Sequence, residues 1–310
     1  MRGFLWWAAA LVCAAQSTAG FVPRGLSLRR SHRGALGTPS PPREGLSSVS
    51  RVPRGGVVPL SALPVAPQDA GVAVFGLAAA TAWLKVWTTL AGKDLIDPKL
   101  SRKVVHSGSA PLFILTWPFF TSGAEARFVA AGVPLLMLSR LLLASFGKQP
   151  ELLKAVSRSG DAKEAVGGPF LYVVMLLVFT TAYWRSSIIG VVALAQMAAG
   201  DGLADIVGRK VGGARWPFSD RKTYAGSLGF VLGGFTVSLG LVYWLATFSC
   251  VDLGGLGLAD VAVRLAAVSV ASALVELVPL GDDNVTVPLT AAVFTALAFG
   301  LPLSPVVALS

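Results

Sequence analysis

Of the chain's 310 residues, 54% are hydrophobic and only 14% charged, and the mean hydropathy is +0.68. That balance excludes an ordinary water-soluble domain and places the chain among polytopic membrane proteins. The formal charge of +10 suggests nucleic acid until it is divided along the chain: residues 1 to 60 hold eight Arg and one acid, Glu44, while the rest holds 18 basic and 15 acidic residues. A nucleic-acid binder would keep its basic patch in the folded domain beside aromatics, so no such partner is expected. Two cysteines, Cys13 and Cys250, make no disulfide framework.

Residues 1–20 combine Arg2, an apolar core from Phe4 to Ala15, and small residues at Thr18, Ala19 and Gly20, the pattern of a secretory signal peptide. Residues 21–65 turn to Arg, Ser, Pro and Gly with almost no acid, as transit peptides do. Phe21 stands at the presumed junction. Such a bipartite leader resembles the presequences of algae whose plastids have extra membranes; a signal anchor followed by a disordered linker is the alternative. Residues 66–310 are then one integral membrane domain.

Apolar segments follow near 70–91, 108–122, 128–146, 168–184, 186–200, 225–248, 259–280 and 285–303. Several approach the roughly 20 residues that a bilayer crossing needs. The expectation is an all-α polytopic protein of about seven or eight transmembrane helices. Gly229, Gly233, Gly234 and Gly240 suit close helix packing in lipid. The charged connections 93–103, 148–164 and 208–222 should share one side of the membrane.

Charge at membrane depth costs roughly 2.5–3.5 kcal/mol per acid, so acids in apolar surroundings are candidate functional residues. Asp201 and Asp205 lie one helical turn apart, with Arg209 a turn further, so all three can line one face. Two carboxylates so spaced can hold Mg²⁺ together with phosphate oxygens. Gly202 and Gly208, with Gly212 and Gly213, would let backbone approach a phosphate, and Lys210 and Lys222 would add counter-charge. A helix end whose Asp and Arg pair in a solvated loop is the structural alternative.

Arg102, Lys103 and His106 precede the second apolar run; His106 is a candidate proton acceptor or phosphate contact, against simple interfacial anchoring. Arg158, Asp161 and Glu164 read as a solvated loop before Gly168-Pro169. Glu276 sits inside an apolar segment and should meet a cation, a metal or a hydroxyl. Asp283 and Asn284 are candidates either for the site or for capping the last helix. No P-loop, no dinucleotide fingerprint and no zinc spacing occurs.

These clusters together, from Ser101–His106 through Asp161/Glu164/Gly168-Pro169, Asp201–Arg209 and Arg221-Lys222-Thr223 to Ser227, ending at Glu276 and Asp283-Asn284-Val285-Thr286-Val287-Pro288, resemble the polyprenol kinase family. The resemblance runs from about Thr88 to about Ala298 and is nearest to the plastid members that act on phytol. It implies an integral membrane enzyme that moves the γ-phosphate of CTP, with Mg²⁺, onto an isoprenoid alcohol: phytol first, geranylgeraniol or farnesol as alternatives. In the phytol case the product would feed tocopherol synthesis. It further implies that Asp201 and Asp205 form the acidic core, that Arg209 and Lys222 are its basic partners, and that Arg102, Lys103, His106, Glu276 and Asp283 belong to the polar set; Gly226 and Ser227, in the motif after Lys222, are further candidates for nucleotide binding. Glu276 or His106 would take the hydroxyl proton. A membrane cytidylyltransferase making a CDP-lipid, or a transporter with intramembrane acids as ion sites, are the rival readings.

Overall fold

The computed structural model describes residues 65–148, 152, 153, 157, 164, 166–279 and 281–305. The two leader segments and residues Arg158 and Asp161 lie outside the described residues. Within them the chain forms α1 (Pro67–Gly92), α2 (Pro98–Ile114), a 3₁₀ turn (Trp117–Phe119), α3 (Ala126–Ser145), α4 (Gly168–Ala182), α5 (Ile188–Val211), α6 (Tyr224–Thr247), α7 (Leu258–Glu276) and α8 (Asp283–Phe299). Five helices, α1, α3, α5, α6 and α7, are long and apolar enough to cross a membrane; α4 and α8 are shorter but apolar. The all-α polytopic architecture expected from the sequence is what the chain adopts.

α5 is the axis of the bundle. Every residue from Ser187 to Gly202 is buried, as befits a helix apolar on all sides, and α2, α4, α6, α7 and α8 all pack on it. Its small residues permit that crowding, and α6 answers with glycines. A side chain at Gly229 or Gly233 would press on the carbonyl oxygens of Leu203 and Ala199, and one at Gly234 on the side chain of Gln196. Without a strong hydrophobic force between helices in lipid, such small-residue contacts are what hold them together. Gly240, expected to act the same way, faces open space.

Two boundaries differ from the sequence reading. α2 starts at Pro98 rather than near residue 108, because Asp97 caps it by accepting from the backbone N–H groups of Lys99 (2.6 Å) and Leu100 (3.4 Å). It therefore carries Arg102, Lys103 and His106 in its first turns instead of in a loop. α5 runs eleven residues past the apolar segment, to Val211, through a π turn at Gln196–Gly200. π turns inside α-helices concentrate at functional sites. This one is pinned by Gln196, whose buried Nε2 donates to Ser238 Oγ on α6 (3.1 Å) and Ser269 Oγ on α7 (2.8 Å), and it ends at Asp201.

The polar residues collect at two opposite ends. At the end where α1 begins and α2 and α4 finish, Asp69 accepts from the Thr121 N–H (2.7 Å) and hydroxyl (2.8 Å). There too, Arg185 donates to the carbonyl oxygens of Trp117, Phe120 and Thr121. The other end gathers Lys103, Glu164, Asp201, Arg221 and Asp283 around one cavity.

Candidate active site

α2 and α5 supply the first half of the site. Lys103 Nζ donates to Asp201 Oδ2 at 2.9 Å, and His106 Nε2 lies 3.1 Å from the same oxygen and 3.2 Å from the carbonyl oxygen of Met197. Both acceptors call for a proton on Nε2, which leaves Nδ1 as the basic nitrogen of a neutral ring. His106 is held in turn by Tyr172 of α4. The Tyr172 hydroxyl donates to the carbonyl oxygen of His106 (2.9 Å) and accepts from the N–H of Ala110 (3.0 Å), inserting itself into the helical ladder of α2 just before Pro111.

The second half comes from the α5–α6 connection and from α7 and α8. Gly212 (φ 64°) and Gly213 (φ 89°) reverse the chain after α5, a left-handed turn that a side chain would resist. The returning strand-like segment is tied by Trp216 N–H to Lys222 O (3.1 Å) and Tyr224 N–H to Ala214 O (3.1 Å), which delivers Lys222 to the bundle. Lys222 Nζ donates to Glu276 Oε1 and, at 3.3 Å, to Asp283 Oδ2. Burial works against the Lys222 ammonium, but the Glu276 carboxylate and its hydrogen bond, with Asp283 behind, outweigh that cost and hold its pKa above the ordinary lysine value. Asp282, not Asp283 or Asn284, caps α8, accepting from the N–H (2.9 Å) and side-chain amide (2.8 Å) of Asn284. Asp283 is thereby left to face the site.

One carboxylate oxygen each from Asp201, Glu276 and Asp283 lie within 4.8 Å of one another. Three anionic oxygens so close repel unless cations sit among them. Lys103 and Lys222 supply two, and an all-oxygen carboxylate set is what a hard divalent cation such as Mg²⁺ binds. The residues present therefore fit the ion that the sequence reading called for. The composition of the set differs: Asp205 is not in it. One turn beyond Asp201, on the partly exposed side of α5, Asp205 pairs with Arg209 through Oδ2. That is the Asp–Arg pairing which spacing alone could not separate from a metal pair.

The glycines are also explained by packing rather than by phosphate approach. A side chain at Gly202 would overlap Ser107 of α2. Gly208 and Gly226 face each other where α5 crosses α6, each leaving about 3.4 Å between a built Cβ and the other's Cα. Ser227 accepts from Trp216 Nε1 (3.0 Å) and so steadies the Lys222 segment. Lys210 is exposed at the end of α5. Arg102 lines the mouth of the cavity, as do Arg221, Asp282 and Asn284.

That cavity, of about 680 Å³, joins the charged end to an apolar interior between α1, α2, α3 and α4. Lys103, His106 and Asp201 lie at its mouth and Phe113, Val133 and Leu176 in its depth. Glu276 does not line it. A polar, cation-ready mouth over an apolar chamber, inside a helical membrane bundle, defines a membrane enzyme that works on the polar end of a lipid.

Comparison with known proteins narrows this class. Over 302 residues, covering 93% of this chain and 97% of the relative, the chain is 37% identical to a protein of Zea mays named probable phytol kinase, chloroplastic. It is 38% identical to phytol kinase 1, chloroplastic, of Arabidopsis thaliana over 238 residues, 75% of this chain and 77% of that one. It is also 37% identical to the farnesol kinase, chloroplastic, of the same plant over 236 residues, 74% and 75% of the two chains. No family model and no solved structure matches the chain. The chain belongs to the polyprenol kinase family, in its branch of plastid phytol and farnesol kinases.

Proposed function

We propose that the protein transfers the γ-phosphoryl group of CTP to the hydroxyl of an isoprenoid alcohol, phytol before farnesol or geranylgeraniol, at the site framed by Asp201, Glu276 and Asp283. The observation that carries this reading is the junction of that carboxylate cluster with an apolar chamber of lipid-chain character. The names of the relatives, phytol and farnesol kinases, agree with an isoprenoid alcohol as acceptor. Phosphoryl transfer depends on positioning and charge neutralisation more than on covalent chemistry, and this site is built of charges.

Asp201, Glu276 and Asp283 would hold Mg²⁺, which when bound neutralises phosphate charge. Lys103 and Lys222, poised on those acids, turn their ammonium groups toward the triphosphate, and Arg102 and Arg221 offer forked donors at the mouth. The alcohol hydroxyl enters from the chamber side, where His106 and Asp201 are exposed to it and Glu276 is not. We therefore assign the proton to His106: Asp201 orients the ring through Nε2, and Nδ1 receives the hydroxyl proton as the oxygen attacks. Glu276 anchors Lys222 instead.

The chloroplastic relatives and the helices long enough to span a bilayer support a plastid membrane as the location. A leader of signal-peptide and transit-peptide character is what a plastid with additional envelope membranes, as in some algae, would require. Product analysis tests the activity. Purified protein with CTP, Mg²⁺ and phytol is expected to yield phytyl phosphate and CDP; no phytyl phosphate from phytol, together with pyrophosphate and a CDP-lipid when a lipid phosphate such as phosphatidate is supplied instead, would make it a cytidylyltransferase and refute the kinase reading.

A further inference from the structure

The cavity has a direction, and every wall agrees on it. Along α2 the order is His106, Ser109, Phe113, so Phe113 lies two turns, about 10 Å, below the base. Along α4 it is Gly168, Tyr172, Leu176, starting at a residue whose Cβ position lies 3.2 Å from the Asn284 amide. α3 runs the other way, from Leu141 near the mouth to Val133 below. The chamber is closed beneath by Phe113, which packs edge-on against the fully buried Trp117, and by Gly76 of α1, whose Cβ position lies 3.9 Å from both Phe113 and Val133. Toward lipid the wall is thin: Leu84 of α1 and Met137 of α3 are only partly buried, and α1 as a whole is the least enclosed of the five long helices.

We infer that this chamber is the binding site for the isoprenoid chain of the acceptor, which enters past α1, lays its hydroxyl at His106 and Asp201, and is measured by the floor that Phe113, Val133 and Leu176 make. The inference rests on the kinase reading for its head group, but the pocket is defined by its own walls. Two features fit a single branched chain. The volume, about 680 Å³, falls in the roughly 300–1,000 Å³ range of sites that enclose one small ligand. The lining below Tyr172 is aliphatic and aromatic, with Ser109 satisfied internally by the carbonyl oxygen of Val105 (2.6 Å). Among the described residues, an apolar tail meets no unpaired polar group there.

Chain-length preference should therefore follow the depth of the chamber. Ser109→Phe fills its middle, and Phe113→Ala opens its floor. With the full chain in nanodiscs and geraniol, farnesol, geranylgeraniol and phytol as acceptors, Ser109→Phe is expected to lower kcat/KM for phytol relative to geraniol by about tenfold or more. Phe113→Ala should raise the long-to-short ratio by about tenfold, the low end of what even one methylene is worth in an apolar pocket. Variants that change all four alcohols equally, or a wild type that phosphorylates diacylglycerol as well as phytol, would overturn the inference. A second measurement needs neither variant nor turnover. A farnesol carrying a diazirine at its far end should label α3 or α4 near Val133 and Leu176; labelling confined to the outer faces of α6 and α7 would overturn it. If wild type phosphorylates no isoprenoid alcohol the kinase reading fails, while the labelling still decides the pocket.

Discussion

Both ends of the bundle bury charge, and they do so differently. At one end Asp69 is fully buried, but its oxygens meet the N–H and hydroxyl of Thr121, and Arg185 spends its donors on three carbonyl oxygens. Those charges close the turn between α2 and α3 and have no chemistry left over. At the other end Asp201, Glu276 and Asp283 face one another, and what balances them is other side chains: two lysines and a histidine. Charge neutralised by backbone is a structural lock, whereas like charges gathered together at the mouth of a cavity cost stability and are retained for binding.

The sharpest test of that contrast compares Asp201→Asn with Asp69→Asn. Asp201→Asn should lower product formation by about a thousandfold or more per folded molecule, in line with the loss of a group that stabilises phosphoryl transfer, while the protein still folds in detergent. Asp69→Asn should cost about 1–3 kcal/mol of stability by disturbing a buried hydrogen-bonded pair, with kcat per folded molecule unchanged. If Asp69→Asn abolished turnover in folded protein, the two ends would not be separable as described.

His106→Ala is expected to lower kcat by roughly 10²–10⁴, the usual contribution of a positioned base, with the KM for CTP little changed. An equal loss in Glu276→Gln without loss of stability would return the base to Glu276. Lys222→Ala leaves Glu276 buried without its cation and should destabilise the fold by about 3–5 kcal/mol; Lys222→Arg should recover most of the stability. The pH dependence has a fixed sign. Because the folded pKa of Lys222 is raised, its contribution is fully present below the unfolded value of 10.5 and is lost only as pH climbs through the higher folded value. Unfolding curves should show no loss from this pair between pH 7 and 10. The smallest effect is expected from Tyr172→Phe: losing a hydrogen bond worth about 1 kcal/mol should lower kcat about fivefold, with His106 less firmly held.

Much of this site was legible in the sequence because charge is conspicuous in an apolar chain. Asp201, Glu276 and Lys222 stood out for that reason, and the family resemblance added Lys103 and Asp283. The grouping was harder to read. Spacing along one helix joins Asp201 to Asp205, but the Asp205 side chain is taken by Arg209, and the carboxylates that join Asp201 come from α7 and α8, far away in sequence. Tyr172 sits in an ordinary apolar run, and its inserted hydroxyl leaves no mark there beyond a lone polar atom. Gln196 was likewise hidden, though a Gln inside an otherwise apolar span is a signal of the kind that flagged Glu276. The floor of the chamber is made of residues indistinguishable in sequence from core.

The most direct measurement is a single-turnover assay of wild type and Asp201→Asn in nanodiscs with γ-labelled CTP, Mg²⁺ and phytol, alongside their melting curves. Label transferred to phytyl phosphate by wild type, and none by an Asp201→Asn protein that the melting curve shows to be folded at the assay temperature, is the expected result. Normal transfer by Asp201→Asn would contradict the central claim that the Asp201, Glu276 and Asp283 cluster is the site of phosphoryl transfer.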